Sequence, residues 1–282
     1  MTMLRPFASS ILAAIAMTAA SAAVAGPTPA PSQIFTAENL NPAFSAGYVV
    51  YGDQISGKLA SFRNQLVAGV APFDFEAIPT TVGGPYQLAF PSSSNAPILA
   101  TLTGGTIRAE AVLGRYNTTA PTASTPSPRK YLEVQTVAGA NGSAATGQFN
   151  ISFSRAISAF AFFGTDIGDF EGSLFIDAYL GNVLQTALTV RSGAVPAGNG
   201  NELLFYGFAA REVAYDRLVF RTSSPTGNDV FGFDDFWAAD AGQIVTTAVP
   251  PSIPEPGSLA LAGLALLAAG AARRARRNRA LA

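Results

Sequence analysis

Apolar residues recur along this chain with two different periods. Over residues 53–66, Ile55, Leu59, Phe62 and Leu66 stand at i, i+4, i+7 and i+11. That spacing places them on one face of an amphipathic helix, with Asp53 or Ser56 as candidate caps. Only Lys58 and Arg63 are basic there, so the helix is expected to pack on a sheet and not on a membrane.

After Gly69 the period falls to two. Phe73-Asp74-Phe75-Glu76 alternates apolar and acidic. Residues 106–113, 130–137, 148–154, 173–180, 183–190, 202–210 and 215–222 continue in that style. Phe149, Ile151 and Phe153 share one face of their segment; Leu174, Ile176, Ala178 and Leu180 share one face of theirs. Gly, Pro, Asn and Ser punctuate the joins, and Gly83-Gly84 and Gly104-Gly105 read as turns. Many short strands at near-regular spacing predict an all-β, antiparallel β-sandwich or jelly roll with one leading helix. The Thr/Ser/Pro-rich residues 120–128 are expected to be an exposed loop. The many phenylalanines, Phe149, Phe153, Phe160, Phe162, Phe163, Phe205, Phe208, Phe220, Phe231, Phe233 and Phe236 among them, are expected to fill the core. Trp237 is the single tryptophan.

Neither end of the sequence shares this pattern. Arg5 precedes an apolar run over residues 11–20, and Ala23-Val24-Ala25 stands before Gly26. That is the layout of a secretory signal peptide, with Ala23 and Ala25 at the cleavage site for signal peptidase. Near the other end, Pro254-Glu255-Pro256 precedes an apolar run over residues 257–272. Arg273, Arg274, Arg276, Arg277 and Arg279 follow. As a helix the apolar run spans ~24 Å at ~1.5 Å per residue, short of the ~30 Å hydrocarbon core. Snorkelling arginine stems extend it, and the cluster belongs on the cytoplasmic side. The two prolines hold an extended stretch at the membrane surface, open to an enzyme. The expected division is residues 1–25 signal peptide, 26–52 linker and lead-in, 53–245 ectodomain, and 246–282 sorting signal.

Composition narrows the chemistry. The addresses take six of the 17 basic residues and one of the 18 acidic ones, which leaves 11 against 17 and a net charge of −6 over residues 26–253. Nucleic-acid binding is disfavoured, because it needs clustered Lys and Arg. With no cysteine and no histidine, disulfides, thiolate and imidazole metal sites, and Ser-His-Asp or Cys-His catalysis are all absent. A carboxylate pair for glycoside hydrolysis and oxygen ligands for calcium remain open.

The tail resembles the PEP-CTERM sorting signal of exopolysaccharide-producing Gram-negative bacteria. The resemblance implies recognition and processing by an exosortase near Pro-Glu-Pro, after transient anchoring in the inner membrane. It also implies delivery to the cell surface or extracellular matrix, in association with exopolysaccharide or biofilm. Three acidic segments resemble ones recurring in secreted PEP-CTERM ectodomains: Phe73-Asp74-Phe75-Glu76, the 164–172 segment GTDIGDFEG, and the 228–236 segment NDVFGFDDF.

Loop carboxylates among glycines are raw material for a calcium site, so Asp166, Asp169, Glu171, Asp229, Asp234 and Asp235 are candidate ligands for a structural Ca²⁺. The competing role is capping of turns by hydrogen bonds to backbone amides. First and last strands pair in many jelly rolls, which would bring Glu76 near Asp234 or Asp235 as the closest approach to a catalytic pair. These acids are expected in solvated, Gly-rich turns where a catalytic pKa shift is hard to hold, so no catalytic residue is expected. The sequence therefore points to an exported, non-enzymatic protein of the cell surface or matrix. The alternatives are a carbohydrate-binding module or a carboxylate-dependent glycoside hydrolase.

Overall fold

Residues 30–39, 43–45, 48–80, 84–110, 118, 129–135, 145–167, 173–191, 203–224 and 230–246 are described by the computed structural model. In chain order they form β1 (Ile34–Asn39), β2 (Ala43–Ser45), β3 (Tyr48–Val50), α1 (Gly52–Arg63), β4 (Tyr86–Phe90), β5 (Ile98–Thr103), β6 (Thr106–Glu110) and β7 (Arg129–Gln135). There follow β8 (Ala145–Ile157), β9 (Ala159–Thr165), β10 (Ser173–Leu180), β11 (Val183–Arg191), β12 (Leu203–Ala209), β13 (Tyr215–Ser224) and β14 (Val230–Ala239). Two six-stranded sheets face each other, ordered β1-β12-β9-β14-β7-β6 and β11-β10-β13-β8-β5-β4; β2 and β3 make a small ribbon. Every pairing is antiparallel. The two-sheet sandwich with one helix is the expected architecture. The edge strand β1 lies within the residues expected as lead-in.

The layers explain the sequence. The second sheet buries one face and leaves the other in water, so its strands alternate: β4 and β5 are buried at every second residue. The middle of the first sheet is covered on both faces. Its inner face, with Phe160, Phe162, Tyr206, Phe231, Phe233 and Phe236, meets the second sheet in one continuous core. Its outer face, with Ala161, Phe163, Phe205 and Trp237, is closed by Ile55 and Phe62 of α1. Strands β9 and β12 are buried along their whole length, and β14 at all but its first residue. The core role expected for the phenylalanines is what the structure has, since all eleven named above are buried.

Helix α1 begins after Tyr51, and no side chain caps it, so neither Asp53 nor Ser56 has the role expected of it. The predicted strand over Phe73–Glu76 is also corrected. Phe73 alone pairs, its N–H donating to the Phe236 carbonyl at 2.7 Å and its carbonyl accepting from the Phe236 N–H at 3.0 Å. Phe75 then turns left-handed at φ +60°. That rotation drives its ring into the core, 5.0 Å from Phe236, and pairing stops. Gly104 and Gly105, at φ +93° and +70°, carry the chain from the second sheet to the first. A Cβ on either would stand 2.9 Å from a carbonyl oxygen of Gln148 or Glu133, so the turn needs both glycines.

Candidate functional site

The acidic segment at the end of the sandwich is buried, not solvated as expected. Strand β14 pairs with β9 through Gly232, Phe233 and Asp234, then shifts register before Trp237. The irregularity places Asp235 left-handed at φ +49°, a conformation Asp tolerates better than most residues. Both carboxylates then point at one residue distant in sequence, Thr118. The Thr118 N–H donates to Asp234 Oδ2 at 2.6 Å. The Thr118 hydroxyl lies 3.1 Å from both Asp234 Oδ2 and Asp235 Oδ2. Asp234 Oδ1 accepts the Asp235 N–H at 2.8 Å, and the Tyr51 hydroxyl donates to the Thr118 carbonyl at 2.9 Å. The Tyr51 ring stacks on Phe163, 4.8 Å between centroids.

Asp234 is fully buried. Its pKa stands well above the usual carboxylate range, first because burial penalises the charge and second because Asp235 is close. The hydrogen bonds from Thr118 and Asp235 pull the other way and do not win. Burial, then the charges of Asp235 and Asp234, push the Tyr51 phenol up as well. The arrangement is an anchor: two carboxyl groups hold Thr118, and Tyr51 ties the start of α1 to the same residue.

Asp166 follows β9 at φ +61°, buried. Asp169, Glu171 and Asp229 lie outside the described residues. Among the described residues no three acids converge closely enough to hold a metal ion. Glu76 accepts the Lys130 N–H at 3.0 Å and stands 3.9 Å from the buried Arg129 guanidinium. Lys130 Nζ in turn donates to the carbonyls of Glu76 and Ile78 at 2.7 and 2.6 Å. Burial leads in raising the Glu76 pKa. The bridge from Phe73 to Phe236 does bring the first acidic segment to the last strand, but the Glu76 carboxylate is committed to β7. A glycosidase needs space for a sugar bond between its two acids. Asp234 and Asp235 instead meet on one buried hydroxyl.

Sequence reasoning singled out the carboxylates and missed Thr118 and Tyr51. The one belongs to Asn117-Thr118-Thr119 and the other to Val49-Val50-Tyr51, and neither stretch carries a periodic signal. Ala23, Ala25, Pro254, Glu255, Pro256, Arg273, Arg274, Arg276 and Arg277 lie outside the described residues. Among those described, no helix is long and apolar enough to cross a membrane.

No curated protein matches this chain. Similarity to solved structures is at low level. One such structure is the xylan-binding domain from CBM 22, formally x6b domain, at TM-score 0.30 and 16% identity, over 58% of this chain and 99% of that one. Another is the C-terminal family 22 carbohydrate binding module of Clostridium thermocellum Xyn10B, at TM-score 0.30 and 16% identity, over 59% and 100%. Scores this low support no functional inference. The tail gives a sharper result: residues 252–277 match the PEP-CTERM protein-sorting motif, the signal of an exosortase-targeted protein.

Proposed function

We propose that this chain is an exported, non-enzymatic protein of the cell surface or extracellular matrix, handled by signal peptidase and then by an exosortase, and associated with exopolysaccharide. The sorting motif at residues 252–277 carries the reading. The body adds support: it has no His or Cys, and Asp234, Asp235 and Glu76 are engaged by hydrogen bonds within the fold. Before processing, the apolar run of the tail is the inner-membrane anchor. Mass spectrometry of the protein recovered from the producing cells should find no peptide beyond about Glu255. An intact Arg273–Arg279 stretch in the mature surface fraction would make the tail a permanent anchor and end the processing part of the proposal.

Calcium is proposed as the structural ion of the 166–171 loop, with Asp229, Asp234 and Asp235 as the other candidate ligands. Asp234 suits it least, because its raised pKa favours the neutral form. If the site binds at ~10 μM, ~1 mM calcium adds about 2.7 kcal/mol. That raises the melting temperature by several degrees for a domain of this size. Asp166→Asn with Asp169→Asn should remove the shift. A melting temperature indifferent to both calcium and EDTA would leave these acids as turn formers.

A further inference from the structure

We propose that the solvent face of the second sheet binds a carboxylate-bearing polysaccharide, and that Arg217 receives the carboxylate. The inference rests on the export reading above, which is what brings the sheet into contact with such a polymer.

The register draws one row of side chains across five strands. Tyr179 of β10 pairs with Arg217 of β13, Arg217 with Ser152 of β8, Ser152 with Thr101 of β5, and Thr101 with Gln87 of β4. Their neighbours Ala178, Leu218, Ile151, Leu102 and Leu88 point inward to the core, so these five point to water. All are exposed or half-buried. At ~4.8 Å per strand the row is ~19 Å long. It presents a phenol, a guanidinium, two hydroxyls and an amide, with Gln87 Nε2 donating to Thr101 Oγ1 at 3.2 Å. Leu184, opposite Tyr179 on β11, and Leu99 beside Thr101 on β5 are 47% and 51% exposed. Hydroxyls and amides interleaved with small apolar patches suit a sugar chain, whose rings are polar at the edge and apolar on the face.

Two arginines stand on this face and differ in their engagement. Arg221 is committed, gripping the Asp177 carboxylate through Nε and Nη2. Arg217 lies with its guanidinium carbon 3.9 Å from the Tyr179 ring centroid. No acid pairs with it among the described residues. Its neighbour Asp216 instead accepts the Gly181 N–H at 2.7 Å. Stacking fixes the plane of the guanidinium and leaves its donor edge for a partner. That planar fork matches a carboxylate, two hydrogen bonds at a time. A neutral glycan would want a bare aromatic ring; here the Tyr179 ring carries the arginine and Trp237 is buried. The body is net negative, so a polyanion is not drawn in at long range and the recognition is local.

The test is affinity electrophoresis of the full chain, in detergent, through gels holding polygalacturonate, hydroxyethyl cellulose or polyglutamate. The wild type should be retarded by polygalacturonate alone, and less so as salt is added. Arg217→Ala should bind about tenfold or more weakly, the effect of losing a charged hydrogen bond. Arg217→Lys, which keeps charge without the fork, should fall between. Arg217→Gln, whose planar amide still stacks on Tyr179, stands in if the alanine variant melts early. Arg108→Ala on the other sheet should bind as wild type. Absence of retardation overturns the proposal. So does equal retardation of Arg217→Ala, which would trace binding to the tail arginines, and so does equal retention by the neutral polymer or by polyglutamate. Processing is read by the mass of the C-terminus, so either conclusion can fail while the other stands.

Discussion

Phe236→Ala should cost about 3–5 kcal/mol, the usual range for emptying a large aromatic site in a core. Its ring lies within 5.0–6.5 Å of Phe75, Phe160, Phe162 and Phe149, in contact with both sheets and with the turn at Phe75. The space it leaves is walled by large rings held by other rings, so collapse around it is limited. Urea unfolding should show a lower midpoint at unchanged slope. Phe175→Ala, on the solvent face of β10, should lose under about 1 kcal/mol, as surface changes usually do. Similar losses at the two positions would mean that the packing between the sheets is not what holds them.

Asp234 gives the body an unusual pH response. Its folded pKa is raised, so between the ordinary carboxylate range and that raised value the folded state holds a proton the unfolded state has lost. Stability from this group therefore falls as pH rises through that window, the reverse of a salt-bridged aspartate. Every tenfold gain in proton affinity on folding is worth about 1.4 kcal/mol. Asp234→Asn cannot ionise. Its stability relative to wild type should be lowest in acid, where wild type already has a neutral group that accepts from Thr118, and should improve as pH rises above the ordinary carboxylate range. Denaturant titrations of both proteins across pH 4–8 read the difference. A difference flat in pH would mean that Asp234 is ionised in the fold throughout.

A wet face explains only part of what is legible in this fold: 202–210 is predicted although β12 is buried throughout, whereas β4 and β5 alternate cleanly and are not among the predicted strands. Strands β10, β11 and β13 of the second sheet are readable because water on one side enforces alternation: the pattern marks residues 173–180 to the residue, and 183–190 and 215–222 nearly so. Strand β9, in the middle of the first sheet, is not readable in that way. Covered on both sides, Ala159-Phe160-Ala161-Phe162-Phe163 has no period, and helix and strand look alike there. The helix is visible because Ile55 and Phe62 alternate with exposed charges. At the site, the carboxylates are visible as a composition. Their burial is not, because it depends on a register shift in β14 and on Thr118, which lies more than a hundred residues away. Arg217 and Tyr179 are likewise visible only as the off-core positions of two strands; that they face one another is a fact of pairing.

Strand β14 is the last of the described strands to be made, yet it sits near the middle of the first sheet, between β9 and β7. Until it arrives, β9 and β7 have no common neighbour. Phe73 and Leu66 also lack the partners they find at Phe236 and Ile244. Such contacts between distant parts of a chain form late and slowly. A chain threaded through an export channel from its N-terminus therefore cannot close this sandwich on the way. It stays open until β14 emerges, a short stretch ahead of the sorting motif at residue 252. On the export route proposed above, the order of the strands keeps translocation and folding in sequence, and the proposed tail anchor is in place while the sheet closes.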